Sequence, residues 1–181
     1  MRPRFSVFIA ASLDGFIARP DGDIAWLSIV HPLDESHGYD AFFASIDTLV
    51  VGRGTYDTVL GFDQWPYAGK RVIVLTHRAV ELRHGAEAYA GPPAQLLPRL
   101  EGARRVYVDG GNVIAQFLAA NLLDDITLSV IPIVLGGGLR LFPGGEGEHR
   151  LALESHRSWP TGLVQLRYRV IGDGDAGHHQ P

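Results

Sequence analysis

Short runs of apolar and β-branched residues alternate along this chain with segments of helical periodicity, and most of the runs end at a glycine turn. Residues 5–11, 48–51, 71–75 and 105–108 have the composition of buried strands. Because strands that alternate with helices form parallel sheets with crossover connections, this order predicts an α/β fold.

The chain ends differently, in strand patterns with no helix between them. Residues 125–131 alternate as a strand, and residues 150–155 and 163–170 resemble a closing antiparallel pair. The predicted architecture is therefore a mixed, mostly parallel central sheet with an antiparallel C-terminal end, flanked by helices. We expect one domain over residues 1–171 and a polar, disordered tail over residues 172–181.

Four helical segments are predicted between the strands. The first begins at Asp34 as its N-cap, and Tyr39, Phe42, Phe43 and Ile46 form its apolar face. The others cover residues 55–60, 94–101 and 112–121. Residues 19–33 are predicted to be a loop, long enough to act as a ligand lid, and residues 83–93 an irregular segment.

Composition excludes several classes of protein. The 181 residues carry a net charge of −4 and a single lysine, Lys70, which disfavours a nucleic-acid surface. The absence of cysteine removes disulfides, thiol nucleophiles and cysteine-ligated metals. The eight histidines lack metal-ligand spacing, so no metal is expected. No run approaches the roughly 18 apolar residues of a membrane helix, and no signal sequence is evident, so we expect a cytoplasmic protein.

The most informative segment is residues 106–115, in which a buried strand runs into Gly110 and Gly111 and a helix starts at once. Unpaired N–H groups at a helix start favour an anion, and glycine lets a phosphate approach the backbone. A side chain at Gly111 is expected to block that approach and leave the protein folded. The alternative is a tight strand-to-helix turn with no ligand. The turn is not the G-x-G-x-x-G dinucleotide fingerprint.

Two further strand ends suit an anion. Gly52, Arg53 and Thr55 follow one strand, and Thr76 and Arg78 follow the next. A hydroxyl and a cation at a strand end suit the 2′-phosphate of NADPH, where an NAD site often places an acidic residue. The alternative for each arginine is an ordinary solvated surface position.

Residues 12–18, 52–56, 108–111 and 132–142 together resemble motifs of the dihydrofolate reductase superfamily, and they occur in the same order. The first and last are most similar to the reductase domain of bacterial riboflavin biosynthesis. The resemblance implies the three-layer dihydrofolate reductase-like fold, and an NADPH-dependent reductase similar to 5-amino-6-(5-phosphoribosylamino)uracil reductase. Two alternatives stay open: a dihydrofolate or general carbonyl or imine reductase of the same fold, and a non-catalytic NADP-binding module.

The same resemblance implies a set of cofactor-binding residues. Gly110 and Gly111 would contact the diphosphate, while Arg53, Thr55, Thr76 and Arg78 would hold the adenosine 2′-phosphate. The full predicted set is Ala11, Gly52, Arg53, Thr55, Thr76, Arg78, Gly110, Gly111, Asn112 and Val113.

Catalytic and substrate residues are predicted less directly. Asp14 and Asp34 are the candidate catalytic carboxylates, with Glu35 and Asp40 as neighbours in the first helix region. Asp14 is alternatively a turn former and Asp34 a helix cap. Trp26, Tyr39 and Tyr56 are candidates for stacking on a flat substrate, with core packing as the alternative.

The bifunctional riboflavin enzyme also has a deaminase half, whose H-x-E and P-C-x-x-C zinc signature is missing here, so only the reduction is expected. Arg19, Arg140 and Arg157 are available for a substrate phosphate. The resemblance further implies a homodimer, to which the apolar residues of the last strands would contribute: Leu151, Leu153, Trp159, Leu163, Val164, Leu166 and Tyr168.

Overall fold

The computed structural model describes residues 1–30 and 35–172. The strands are β1 (Arg4–Ser12), β2 (Phe16–Ala18), β3 (Thr48–Gly52), β4 (Arg71–Leu75), β5 (Glu87–Tyr89), β6 (Arg105–Asp109), β7 (Asp125–Ile131), β8 (Leu139–Arg140), β9 (Leu151–Ser158) and β10 (Val164–Val170). The α-helices are α1 (Tyr39–Ser45), α2 (Arg53–Leu60), α3 (Pro93–Leu96) and α4 (Gly111–Ala119). Short 3₁₀ helices are formed by Ala25–Val30 and by Leu97–Leu100.

Eight strands form one sheet in the order β5-β4-β3-β6-β1-β7-β10-β9. The pairs from β5 to β7 are parallel, and β10 runs antiparallel to both β7 and β9. The predicted mixed sheet with an antiparallel C-terminal end is therefore confirmed. The strands β2 and β8 form a separate two-stranded antiparallel sheet.

Apolar side chains that alternate along the central strands create a core on each face of the sheet. On one face, α3 and α4 pack over Val50, Val106 and Val108. On the other face, α1 and α2 pack over Leu49, Val51 and Tyr107. The result is the three-layer arrangement of a sheet between helices that the sequence predicts.

Three short strands escape prediction from sequence. The segment Glu87–Tyr89 lacks a β-branched residue, yet it pairs with β4 because the sheet edge offers it free backbone groups. Phe16–Ala18 and Leu139–Arg140 form β2 and β8 by pairing with each other. In all three cases the tertiary partner, and not the local sequence, determines the strand.

The first helix starts later than predicted. It begins at Tyr39, and its N-cap is Gly38 in the left-handed region, with φ 85°. The N-cap role predicted for Asp34 is therefore wrong, because the cap that the helix uses lies four positions later in the sequence. Asp34 itself and the tail from residue 173 lie outside the described residues.

The carboxylate of Asp125 joins the amino ends of three neighbouring strands. This side chain is buried at the start of β7 and accepts hydrogen bonds from Arg4 at 2.6 Å and Ser6 at 2.8 Å, both on β1. Arg105 on β6 donates to its second oxygen at 3.3 Å. The two guanidinium groups compensate the charge that would otherwise be unpaired in the interior.

Replacement of Asp125 by alanine should destabilise the protein by about 3 kcal/mol, because the partly buried Arg105 and the more exposed Arg4 lose their counter-ion and the buried Ser6 hydroxyl loses its acceptor. For a chain of this size the melting temperature should fall by roughly 6–12 °C. Urea unfolding followed by circular dichroism measures the change. The exposed Asp63→Ala is the matched control and should stay within about 0.5 kcal/mol of wild type. Equal stabilities of the two variants would contradict this account.

Candidate functional site

Strand β6 lies at the point where the sheet changes its winding direction. The helices that follow its neighbours β3 and β1 lie on one face of the sheet, whereas the helix that follows β6 lies on the other. Because the two connections leave in opposite directions, crevices open beside β6 at the carboxyl ends of the strands. Ligands of open α/β sheets bind at such points.

The crevice between β1 and β6 is enlarged by the way the two strands pair. Their register covers only Arg4–Ser6 with Arg105–Tyr107, whereas β1 continues beside β7 as far as Ser12. Beyond this register the two strands diverge. The Tyr107 hydroxyl crosses the gap and donates a hydrogen bond to the carbonyl oxygen of Phe8 at 2.8 Å. Ala11, a predicted cofactor residue, is buried close to the carboxyl end of β1.

Two of the predicted glycine turns meet in the second crevice, between β3 and β6. A methyl group at Gly110 would lie 3.0 Å from the hydroxyl oxygen of Thr55, and one at Gly52 would lie 3.2 Å from Val113. In the described structure neither α2 nor α4 has a side-chain cap at its N-terminus. Two sets of backbone N–H groups without a side-chain cap therefore start at adjacent turns, and such groups attract an anion.

The structure requires glycine at position 111 for a reason other than the predicted approach of a phosphate. A side chain at this position would collide with the carbonyl oxygen of Arg140 and lie 3.1 Å from that of Leu141. The expectation that a residue larger than glycine would only block a phosphate is wrong, because the space beside Gly111 is filled by the protein's own backbone. The next residue, Asn112, has an exposed side chain in the first turn of α4.

The third predicted strand end lies at the surface beyond β4. The Thr76 hydroxyl accepts a hydrogen bond from the backbone N–H of Arg78 at 3.2 Å and so shapes the turn. The Arg78 side chain is exposed, and no hydrogen bond or ion pair of its guanidinium is found in the described part of the chain. Arg53, in contrast, donates to Asp57 at 2.7 Å and to the carbonyl oxygen of Ala79 at 3.0 Å.

Asp14 anchors the glycine-rich segment that follows β7. Its carboxylate accepts hydrogen bonds from the Ser12 hydroxyl at 2.6 Å, from the N–H of Leu135 at 3.0 Å and from the N–H of Gly136 at 2.7 Å. These donors, Ser12 first, lower the pKa of Asp14 to about 2. The carboxylate is thus ionised at neutral pH and cannot serve as a proton donor there; a role in contacting substrate stays a prediction.

The three aromatic candidates have different surroundings. Tyr56 is fully buried, and its hydroxyl accepts a hydrogen bond from the N–H of Arg83 at 2.7 Å. Trp26 is 4% exposed and packs against Ile131 and Leu163. The predicted substrate stacking of Tyr56 and Trp26 is wrong, because both rings are enclosed by protein.

Tyr39, the third candidate, remains accessible. Its half-buried ring lies edge-on to Phe8, with ring centroids 5.6 Å apart, and stacks on Phe43. Burial raises the pKa of its hydroxyl to about 12, and the nearby Asp109 carboxylate adds to the shift. This ring therefore reaches the region around β6.

Asp109 is the site residue that sequence reasoning missed. It ends β6 directly before the Gly110 turn, and its carboxylate accepts a hydrogen bond from the N–H of Gly110 at 2.9 Å. Burial raises its pKa to about 6, although the Gly110 N–H and the Tyr107 hydroxyl oppose the shift. Its position between a buried strand and the glycine pair was the available signal, but the sequence could not reveal which groups surround it.

The structure describes no helix of the length and apolarity needed to cross a membrane. Nor does any group of three or more acidic or histidine side chains within residues 1–30 and 35–172 form a possible metal site.

The fold recurs among solved structures. A bifunctional diaminohydroxyphosphoribosylaminopyrimidine deaminase/5-amino-6-(5-phosphoribosylamino)uracil reductase from Thermotoga maritima matches with a TM-score of 0.71 and 18% identity, over 94% of this chain and 57% of its own. A dihydrofolate reductase from Enterococcus faecalis, in complex with NADP(H), matches with a TM-score of 0.66 and 15% identity, over 92% and 96%. The protein is accordingly an α/β protein with the dihydrofolate reductase-like fold.

A closer similarity identifies the family. A protein from Shewanella sp. PV-4 that is named for riboflavin biosynthesis is 34% identical, with a TM-score of 0.85 over 95% of this chain and 100% of its own. Residues 91–165 match the family model of the RibD C-terminal domain. The chain belongs to this RibD C-terminal domain family, which is a family of reductases.

Replacement of Gly111 by alanine should lower the stability by about 1–3 kcal/mol, because the new methyl group overlaps the Arg140 carbonyl. The matched control is Gly54→Ala in α2, where a methyl group meets nothing within 4 Å. That variant should be as stable as wild type or slightly more stable. Thermal unfolding of both variants measures the difference, and a Gly111→Ala protein of wild-type stability would contradict the predicted clash.

Proposed function

We propose that this protein is an NADPH-dependent reductase that transfers hydride to a flat pyrimidine- or pteridine-like substrate. The observation that carries the proposal is the meeting of two uncapped helix N-termini at the Gly52 and Gly110 turns, beside the strand at which the sheet reverses its winding. The proposed diphosphate site is the set of free N–H groups at the starts of α2 and α4.

The proposed cofactor preference rests on the exposed guanidinium of Arg78. The turn that carries it is held by Thr76, and Arg53 ties the neighbouring backbone at Ala79 to α2. Arg53 already has the Asp57 carboxylate as its partner, so we assign the 2′-phosphate chiefly to Arg78. When bound, the cofactor would supply the hydride, and the protein would supply its orientation and exclude water.

The proposed substrate site is the crevice between β1 and β6. Phe8 and Tyr39 provide aromatic rings beside it, and the pairing of the two strands ends at Ser6. Membership in the RibD C-terminal domain family favours a pyrimidine such as 5-amino-6-(5-phosphoribosylamino)uracil, the substrate named for the reductase of Thermotoga maritima. We further propose a cytoplasmic enzyme of small molecules that binds neither nucleic acid nor membranes.

NADPH should bind wild-type protein at least about tenfold more tightly than NADH, a difference near 1.4 kcal/mol. Arg78→Ala should weaken NADPH binding about tenfold and leave NADH binding almost unchanged, because only NADPH carries the 2′-phosphate. Isothermal titration calorimetry measures both affinities. The control is Arg104→Ala, a highly exposed arginine at the opposite end of the strands, which should change neither.

Turnover is measured by the loss of NADPH absorbance with 5-amino-6-(5-phosphoribosylamino)uracil, with dihydrofolate and with a set of carbonyl compounds. Oxidation that depends on the pyrimidine supports the proposed function, while oxidation with dihydrofolate or a carbonyl compound alone assigns a different substrate to the same fold. Tight NADPH binding without oxidation by any of them would identify a non-catalytic binding module. Equal affinities for NADPH and NADH would contradict the cofactor assignment.

We also propose that the protein is a homodimer joined through β9 and β10. The side chains of Leu151, Leu153 and Val164 are exposed on this antiparallel pair, and β9 is the edge strand of the sheet. Such an edge is ordinarily covered or charged. Trp159 and Leu163 do not contribute, because they pack into a small core with Trp26.

Light scattering at micromolar concentration should give twice the mass of the 19.7 kDa chain. Leu153→Glu should produce monomers that still bind NADPH, because the glycine turns lie on other strands. Leu82→Glu changes a similarly exposed leucine in a loop and should remain dimeric. A monomeric wild-type protein, or a dimer unaffected by Leu153→Glu, would refute this interface.

A further inference from the structure

Asp109 lies between the two parts of the proposed site. It follows Tyr107 by two positions on β6, so both side chains leave the same face of the sheet, the face that α1 covers. The Tyr107 hydroxyl bridges β6 to Phe8 of β1 where the strand pairing ends. Asp109 comes after this bridge, at the open end of the crevice and directly before the Gly110 turn.

The carboxyl group of Asp109 is surrounded by phenols and not by cations. Tyr107 approaches it from β6, Tyr39 from α1 and Tyr67 from the segment between α2 and β4, and the pKa of each hydroxyl is raised by burial and by this carboxylate. On α1 the exposed carboxylate of Asp40 also lies near Tyr39. No basic side chain of the described residues is among the groups that shift the pKa of Asp109.

These surroundings distinguish Asp109 from every structural carboxylate discussed above. Asp125 is compensated by two arginines, and Asp14 accepts three hydrogen bonds that keep it ionised. Asp109 has only the N–H of Gly110 and the Tyr107 hydroxyl to favour its ionised form, and burial outweighs both, so the carboxyl group tends to hold a proton. Tyr39 also lies beside the crevice, but its pKa is raised to about 12, so its hydroxyl would be a much weaker acid than the carboxyl group of Asp109.

We propose that Asp109 is the catalytic proton donor of the reduction, and that Tyr39, Tyr67 and Tyr107 act as positioning residues that keep its acid form shielded from water. The inference rests on the proposed reductase function. In the balanced step, the substrate C=N or C=O carbon gains the hydride, its heteroatom takes the proton of Asp109, and the π bond between them is lost. The carboxylate that remains regains a proton from solvent before the next turnover.

The direction of the pH dependence follows from the raised pKa. The donor must be protonated, so turnover should be highest below about pH 6 and fall as the pH rises through this value. The same shift makes the folded protein favour the protonated group. Its stabilising effect is therefore complete below the ordinary pKa of aspartic acid near 4 and is lost as the pH rises through about 6.

The first measurement needs no substrate. Carbon-13 NMR of aspartate-labelled protein, compared with Asp109→Asn to assign the signal, should show one carboxyl that titrates near pH 6. Tyr107→Phe removes the bridging hydroxyl but keeps the ring, and it should move that titration to higher pH because the hydroxyl lowers the pKa of Asp109. The exposed Asp63→Asn should leave the titration unchanged. An Asp109 carboxyl that titrates near its ordinary value of about 4 would overturn the proposal.

The second measurement uses NADPH and 5-amino-6-(5-phosphoribosylamino)uracil. Asp109→Asn should lower kcat about 100-fold or more, abolish its fall above pH 6 and retain NADPH affinity, while Asp63→Asn should behave as wild type. A variant with wild-type kcat and pH profile would overturn the donor role alone. If wild type binds NADPH but turns over no compound of the set above, the reductase function itself fails, and the donor role fails with it.

Discussion

The charge of Asp125, buried at the start of β7, is the constraint on which the arrangement of the central strands depends. A carboxylate in this position is tolerated only because Arg4, Ser6 and Arg105 reach it from two neighbouring strands. The amino ends of β6, β1 and β7 are thereby fastened together. Asp47 reinforces the same edge by accepting hydrogen bonds from the backbone N–H groups of Arg104 and Arg105. Strands fixed at one end can diverge at the other, and the crevice opens there.

The proposed chemistry is divided between backbone and side chains according to this geometry. Helix N-termini at the Gly52 and Gly110 turns offer N–H groups of fixed direction, as suits a diphosphate whose charge does not change. The proton needed for the reduction must instead come from a group that can lose and regain it. Asp109, the proposed donor, directly precedes the Gly110 turn, so the two parts of the proposed site adjoin at this residue.

Much of the fold follows from the sequence, since buried parallel strands and amphipathic helices have strong local patterns. Residues 71–75 and 125–131 were predicted with the bounds that β4 and β7 have. β2, β5 and β8 were missed because a sheet edge or a second short strand creates them. The glycine turns before α2 and α4 were recognisable because each lies between a strand pattern and a helix pattern, while their role in binding an anion stays a prediction. Tyr56 and Trp26 were misjudged, because a sequence does not show whether an aromatic ring faces a crevice or a core. For the same reason Asp109 was passed over.

The early end of the β1–β6 pairing has a consequence for how the family can diversify. Past Ser6, β1 no longer pairs with β6, and the carbonyl oxygen of Phe8 accepts its hydrogen bond from the Tyr107 hydroxyl instead. Contacts made by the main chain survive almost any substitution at residues 9 or 10. Substitutions on α1 could therefore alter the proposed substrate preference without disturbing the contact between Tyr107 and the main chain of Phe8.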